Sequence, residues 1–376
     1  MGKYALGQAV PRSEDPRLLR GGGRFADDRS MPSMAHGYVL RSPHAHAYIR
    51  SIDVSAARAA PGVIAVLTGA DWESLGWGDV PSDPPRKLRD GSPGYIPPFP
   101  ALVKDRARYV GDCIAFIVAE SRALAQDASE LIKIDYEPLP AVTDTEAAAS
   151  GDVPAVWDDC ADNIAFVHLL GNKAAADAAF EQADHVISKK FVINRVAPAA
   201  IEPRACLGNY DANDDRYTIY TTLQHANPYR MNLADKVIGV PESKVRVVNG
   251  DVGGSYGMKS SMYNENILVL WASKVTGRPV KWASDRTEAF QSDTQGRDNV
   301  TVGELALDKE GIFLGMRVKT IGNLGAYMTQ AGGGPLVGNL GTLAGVYTTP
   351  AIHVDVTAVY SHTTITRPYR GAGRPE

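Results

Sequence analysis

Cysteine is scarce in this chain: 3 in 376 residues, at Cys113, Cys160 and Cys206. None forms a CxxC pair, which excludes a disulfide framework and the thiolate set of an iron–sulfur cluster. So little cysteine fits a reducing compartment, and a cytoplasmic location is the expectation. No run of about 18 apolar residues occurs, so no membrane span is expected. Residues 1–23 hold no apolar stretch of signal-peptide length. An excess of either charge is also missing: 39 Lys+Arg stand against 43 Asp+Glu, for a formal net charge of -4. That balance gives no basic footprint for nucleic acid or an anionic membrane. No solenoid-type repeat is found, and GxSxG is absent.

What remains is an ordinary globular composition, 44% hydrophobic and 22% charged, long enough for two domains with a buried core. Glycine (36) and proline (24) are plentiful and point to many turns. In the first 150 residues, Ala35–Val39, Val63–Leu67 and Cys113–Val118 read as strands. Ser121 is placed to cap a helix whose Leu124, Ala128, Leu131 and Ile132 share a face. Residues 76–100 hold seven prolines and read as a loop. A small, acidic, turn-rich stretch over 141–175 suggests a domain boundary, set at 150/151. Beyond it, His185–Asn194, Tyr217–Leu223 and Val245–Val248 read as strands and Pro228–Ile238 as a short helix. A buried helix is expected from about Met262 to Val275, then paired strands at Val300–Leu307 and Ile312–Ile321. The fold class is α+β.

Three features carry candidate chemistry. The first is Gly250-Asp251-Val252-Gly253-Gly254-Ser255-Tyr256-Gly257-Met258-Lys259-Ser260, lying between a strand and a helix. Glycines without Cβ let backbone N–H groups approach a ligand closely. The spacing is neither a P-loop nor GxGxxG; a structural turn and nucleotide binding both stay open. The second is Gln224 at a strand end, whose amide N–H can serve an anionic or oxo ligand, or simply satisfy loop backbone. The third is Arg370, with Arg374, on a glycine turn, able to offer a guanidinium fork to a carbonyl or developing anion. The histidines lack metal-ligand spacing, and His44-Ala45-His46 is expected at the surface.

An ordered set of segments carries a resemblance: GQAVPRSEDPRLLRGGGRFADD, RSPHAHAYIRSIDVSAARAAPGV, YVGDCIAFIVAESRALAQDASELIKIDYEPLPAV, IEPRACLGNYD, LQHANPYR, GDVGGSYGMK, TGRPVKW and RPYRGAGRPE. Together they resemble the molybdopterin-binding large subunit of the xanthine dehydrogenase/aldehyde oxidase family, including carbon monoxide dehydrogenase-like members. The resemblance implies an α/β-hammerhead domain within 1–150, followed over 151–376 by the first half of a molybdenum-cofactor-binding domain. It implies that Gln224 hydrogen-bonds an oxygen on molybdenum and that Gly253, Gly254, Ser255, Tyr256 and Gly257 approach the metal's apical oxygen. No residue is expected to ligate the metal directly. By the same resemblance, Arg370 matches the arginine that, in the purine-oxidising members, orients substrate and stabilises negative charge. The implied reaction is oxidative hydroxylation of an aldehyde or N-heterocycle carbon with water as the oxygen source. The implied cofactor is molybdenum–molybdopterin, in its cytosine dinucleotide form, with [2Fe–2S] and FAD on partner subunits.

The sequence departs from the family at four points. Tyr256 stands where many members carry Phe. Ser260 replaces a Glu found in purine-oxidising members, which argues against xanthine. Gly371 replaces the copper-ligating Cys of carbon monoxide-oxidising members. Family subunits are about twice as long, and their general-base Glu lies in the other half. The expectation is therefore a chain that is inactive alone, binds cofactor poorly, and needs a C-terminal half or companion chain. The competing expectation is a non-catalytic cofactor-binding or assembly module that keeps the fold.

Overall fold

A computed structural model describes residues 7–375. The first six residues of the stretch read for an export signal, and Glu376 of the last motif, lie outside the described residues. The strands are β1 (Ala35–Arg41), β2 (Ala47–Asp53), β3 (Val63–Thr68), β4 (Arg106–Ala107), β5 (Cys113–Ala119), β6 (Lys133–Pro138), β7 (Ile164–Gly171) and β8 (His185–Ile193). They continue as β9 (Ala205–Asp211), β10 (Arg216–Thr221), β11 (Val245–Asn249), β12 (Val280–Ala283), β13 (Asn299–Leu307), β14 (Phe313–Asn323) and β15 (Ala351–Val359).

Three sheets result. The largest has the order β11-β10-β9-β12-β1-β5-β3, so strands from the first 120 residues share it with strands from 205–283. The second runs β7-β15-β14-β13-β8, and a small third runs β4-β2-β6. β5 reads CIAFIVA and is buried at every position, as a strand covered on both faces must be. The helix Asn264–Thr276 is buried from Asn264 to Ser273 and packs on β9. Its approach is close: a Cβ at Gly208 would meet the Val269 backbone at 2.7 Å, so only glycine fits beneath it.

Several sequence expectations hold. Ser121 caps the helix Arg122–Ser129 by accepting from Leu124 N at 3.3 Å. β13 and β14 pair antiparallel. Residues 76–100 contain no helix or extended strand. The helix expected at Pro228–Ile238 starts at Ala226 and turns into a π-helix over Leu233–Ile238. Thr68, the last residue of β3, also caps the helix Gly69–Leu75 in a box with Asp71. The stretch over 141–175, read as turns, contains β7. His46, expected at the surface, is 5% exposed. Its Nδ1 bonds Pro140 O, Arg106 donates to its Nε2 at 2.9 Å, and its ring stacks on His362 at 4.0 Å. All three cysteines are free and buried.

Candidate functional site

β10 and β11 are parallel neighbours, with Thr221 opposite Asn249. Their carboxyl ends therefore lie side by side, the end of a sheet where ligands are commonly held. Gln224 follows β10, and the loop from Gly250 follows β11. Asn249 ties the two exits together, accepting from Leu223 N at 3.1 Å and donating to Leu223 O at 2.9 Å.

The loop then folds back on Gln224. Gln224 N donates to Lys259 O at 2.9 Å. Ser255 Oγ accepts from Lys259 N at 3.0 Å and gives its own proton to Gln224 Oε1 at 2.7 Å. That relay fixes which end of the amide is which, leaving Nε2 as the donor. Gly254, Tyr256 and Gly257 take positive φ of 102°, 54° and 106°. A Cβ at Gly257 would strike Pro368 O at 2.0 Å, so the loop and the C-terminal segment close together only because no side chain intervenes. The backbone N–H groups of Gly254, Ser255, Tyr256 and Gly257 have no protein acceptor among the described residues. Four unpaired amides on one glycine-rich turn are donors available to an anionic or oxo group.

A buried ion pair holds this loop from behind. Lys259 is 1% exposed, and its Nζ donates to Glu202 Oε2 at 2.8 Å and to Glu202 O at 2.9 Å. Glu202 Oε2 also accepts from Gly253 N at 2.7 Å. Burial pushes the Lys259 pKa down, opposed by Glu202. Deeper still, Arg204 meets Glu265 at 2.6 Å and Asp293 at 2.6 Å, while Arg41 meets Glu265 at 2.5 Å and Glu288 at 2.7 Å. Burial opposes ionisation of Glu265, yet Arg204 and Arg41 outweigh it and bring its pKa down to about 2.

Arg370 arrives from the other side. Its N donates to Tyr256 O at 2.9 Å. Arg297, at φ 66°, donates to Tyr369 O at 3.0 Å and Arg370 O at 2.8 Å, gripping the segment by its carbonyls. The Arg370 side chain is exposed, and no acceptor for its guanidinium occurs among the described residues.

Between these pieces lies a cavity of about 400 Å³. Gln224 and Gly257 line it, with Ser260, Tyr229, Gln330 and Asp83 among the other walls. Gly253, Gly254, Ser255, Tyr256 and Arg370 do not line it but are joined to its wall through the bonds above. Ser260 Oγ is buried without a partner. Oriented amide, unpaired N–H groups and the glycine approach fit an oxo-metal group held without direct protein ligation. Among the described residues no group of three His, Cys, Asp or Glu is placed to hold a metal ion.

Sequence reasoning brought Gln224, the loop and Arg370 together but missed Glu202 and Arg297. Glu202 lies within IEPRACLGNYD, where only spatial proximity to Gly253 reveals its part. The turn at Gln295-Gly296-Arg297-Asp298 gives no chemical signal by itself.

Fold and site thus define a class: an α+β protein with a glycine loop and an oriented amide, able to serve an anionic or oxo group, at the ends of two parallel strands. Comparison with known proteins names the family. Residues 156–376 match the molybdopterin cofactor-binding domain, and residues 20–140 match the aldehyde oxidase and xanthine dehydrogenase a/b hammerhead domain. The chain is 36% identical to the 6-hydroxypseudooxynicotine dehydrogenase complex subunit gamma of Paenarthrobacter nicotinovorans, covering 99% of this chain and 46% of that one. It is 32% identical to the nicotinate dehydrogenase large molybdopterin subunit of Eubacterium barkeri, covering 100% of this chain and 84% of the relative. Quinoline 2-oxidoreductase from Pseudomonas putida 86 superposes with a TM-score of 0.89 at 35% identity, over 99% of this chain and 46% of that one. This chain belongs to the molybdopterin-binding subunits of the xanthine dehydrogenase/aldehyde oxidase family. It has the hammerhead domain followed by molybdenum-cofactor-binding sequence, and it spans about half the length of the first of these relatives. Among the described residues no helix is long and apolar enough to cross a membrane.

Proposed function

We propose that this chain is the first half of the large subunit of a molybdenum hydroxylase that acts on a ring carbon of an N-heterocycle, or on an aldehyde, with water as oxygen source. The observation that carries this reading is the set of unpaired N–H groups from Gly254 to Gly257 beside the oriented Gln224 amide. Those donors would hold the oxygen atoms of the cofactor, and Glu202 with Lys259 would keep the donors in place. When bound, molybdenum–molybdopterin in its cytosine dinucleotide form supplies the two-electron oxidation. Arg370, its guanidinium unpaired, would orient the substrate and offset the negative charge that develops on it. Ser260 and Gly371 direct the reading away from xanthine and carbon monoxide. Similarity to proteins named for nicotinate and quinoline favours a heterocycle over an aldehyde.

The general base and the remaining cofactor contacts belong to second-half polypeptide, on the same chain or on a companion. A relative of which this chain covers 84% supports a companion. Electrons would leave through a [2Fe–2S] subunit to a FAD subunit. The test is to express the chain in a molybdopterin-producing host, with and without second-half polypeptide and the partner subunits. Molybdenum content and dye-linked oxidation of nicotinate, quinoline and benzaldehyde are then measured. The proposal expects molybdenum and turnover only in the complete complex. Full activity from the lone chain defeats the half-subunit reading; a complete complex that binds cofactor but oxidises nothing makes the chain an assembly module.

A further inference from the structure

We propose that the open face of the β8–β13–β14 sheet is the seat of the second-half polypeptide, and that it receives an amphipathic segment with an apolar inner side and acidic residues at its rim. The inference rests on the half-subunit reading above. The strand register sets Ile187, Leu305 and Met316 in one row, and Lys189, Gly303 and Val318 in the next. The opposite face is covered over β14: Ala179 of the helix Lys173–Glu181 sits 2.8 Å from where a Gly315 Cβ would be, and Arg317 lies over the Phe180 ring at 3.8 Å. The first face is met at the Gly322 end of β14 by Leu336, 2.2 Å from where a Gly322 Cβ would be, and is open toward β8. It forms a groove of about 970 Å³, bounded across from the sheet by residues 335–343 and 373–375.

Two properties mark the groove as an unfinished interface. Ile187 and Phe191 are 58% and 50% exposed on β8, which is an edge strand with unpaired main-chain groups. Long apolar edge strands are disfavoured on a free surface. The charges lining the groove that have no carboxylate partner among the described residues, Lys189 and Arg374, are both positive; Lys190 pairs with Glu146, and Glu304 with Arg317. An acidic rim is therefore the complement. A second copy is the poorer occupant, because antiparallel pairing of β8 with itself about its centre brings Lys189 against Lys189. The relatives supply the missing mass: this chain covers only 46% of the Paenarthrobacter subunit.

The experiment places the photocrosslinking residue p-benzoylphenylalanine at Ile187 and, separately, at Val346, which is 95% exposed and does not line the groove. The complex is purified through a tag on this chain, irradiated, and the joined peptides are sequenced; molybdenum and the subunits present are measured in the same sample. Crosslinks from position 187, but not 346, to second-half sequence support the seat. In a sample containing molybdenum and second-half polypeptide, crosslinks to another copy, to the iron–sulfur or FAD subunit, or to nothing overturn it. A sample lacking both molybdenum and second-half polypeptide overturns the half-subunit reading instead, and this inference with it.

Discussion

Lys259 shows how one side chain decides the shape of a loop. Its ammonium is enclosed by Glu202, its carbonyl fixes Gln224, and its N–H fixes Ser255. Replacing it with methionine keeps the volume roughly constant but leaves the Glu202 carboxylate buried without its counter-charge, a loss of about 3–5 kcal/mol. Urea unfolding of Lys259→Met should show a destabilisation of that order, and the double variant with Glu202→Gln should fall well short of the sum of the singles. Additive losses would mean that the pair does not act as a unit. The motif was legible in sequence as glycines and a lysine. Its wiring was not, because Glu202 reaches Gly253 only through the fold.

The elements beneath the site hold three carboxylates and two guanidiniums in one dry cluster. Glu265, on the buried helix Asn264–Thr276, is shared by Arg204 and Arg41, which joins β9 to β1. A folded pKa of about 2, against an ordinary 4.5, means that the unfolded chain binds the proton more tightly. Stability from this group is full above pH 4.5 and is lost as pH falls toward 2, about 3 kcal/mol in total. Asp112 works in the opposite direction, since burial raises its pKa to about 6 and its ionisation costs stability as pH rises. Comparing the native chain with Glu265→Gln cancels Asp112, which both carry. Urea denaturation from pH 5 to pH 2.5 should show the native chain losing stability more steeply, whereas Glu265→Gln should start lower and decline less. Parallel profiles would show that Glu265 is not held ionised by its arginines. Local sequence made β5, the capped helix after Ser121 and the β13–β14 hairpin legible, because each follows from its own residues. β7 was hidden because its partner β15 lies far along the chain, and its outer half is exposed.

For the whole molecule, the topology explains why distant segments make one site. Two parallel strands deliver Gln224 and the glycine loop to the same edge. The segment after β15 then lays Arg370 against Tyr256, with Arg297 clamping it. The motifs predicted that these pieces belong together, but not that Ser260 and Gly257 share a cavity wall with Asp83 and Gln330, from segments whose part in the site the sequence does not show. The most direct measurement is an anomalous-scattering map at the molybdenum edge on crystals of the complete complex. The account predicts one molybdenum peak at this cavity, with Gln224 Nε2 and the Gly254–Gly257 amides turned toward its oxygens and Arg370 on the substrate side. A peak elsewhere on the subunit, with those donors facing solvent, would contradict it.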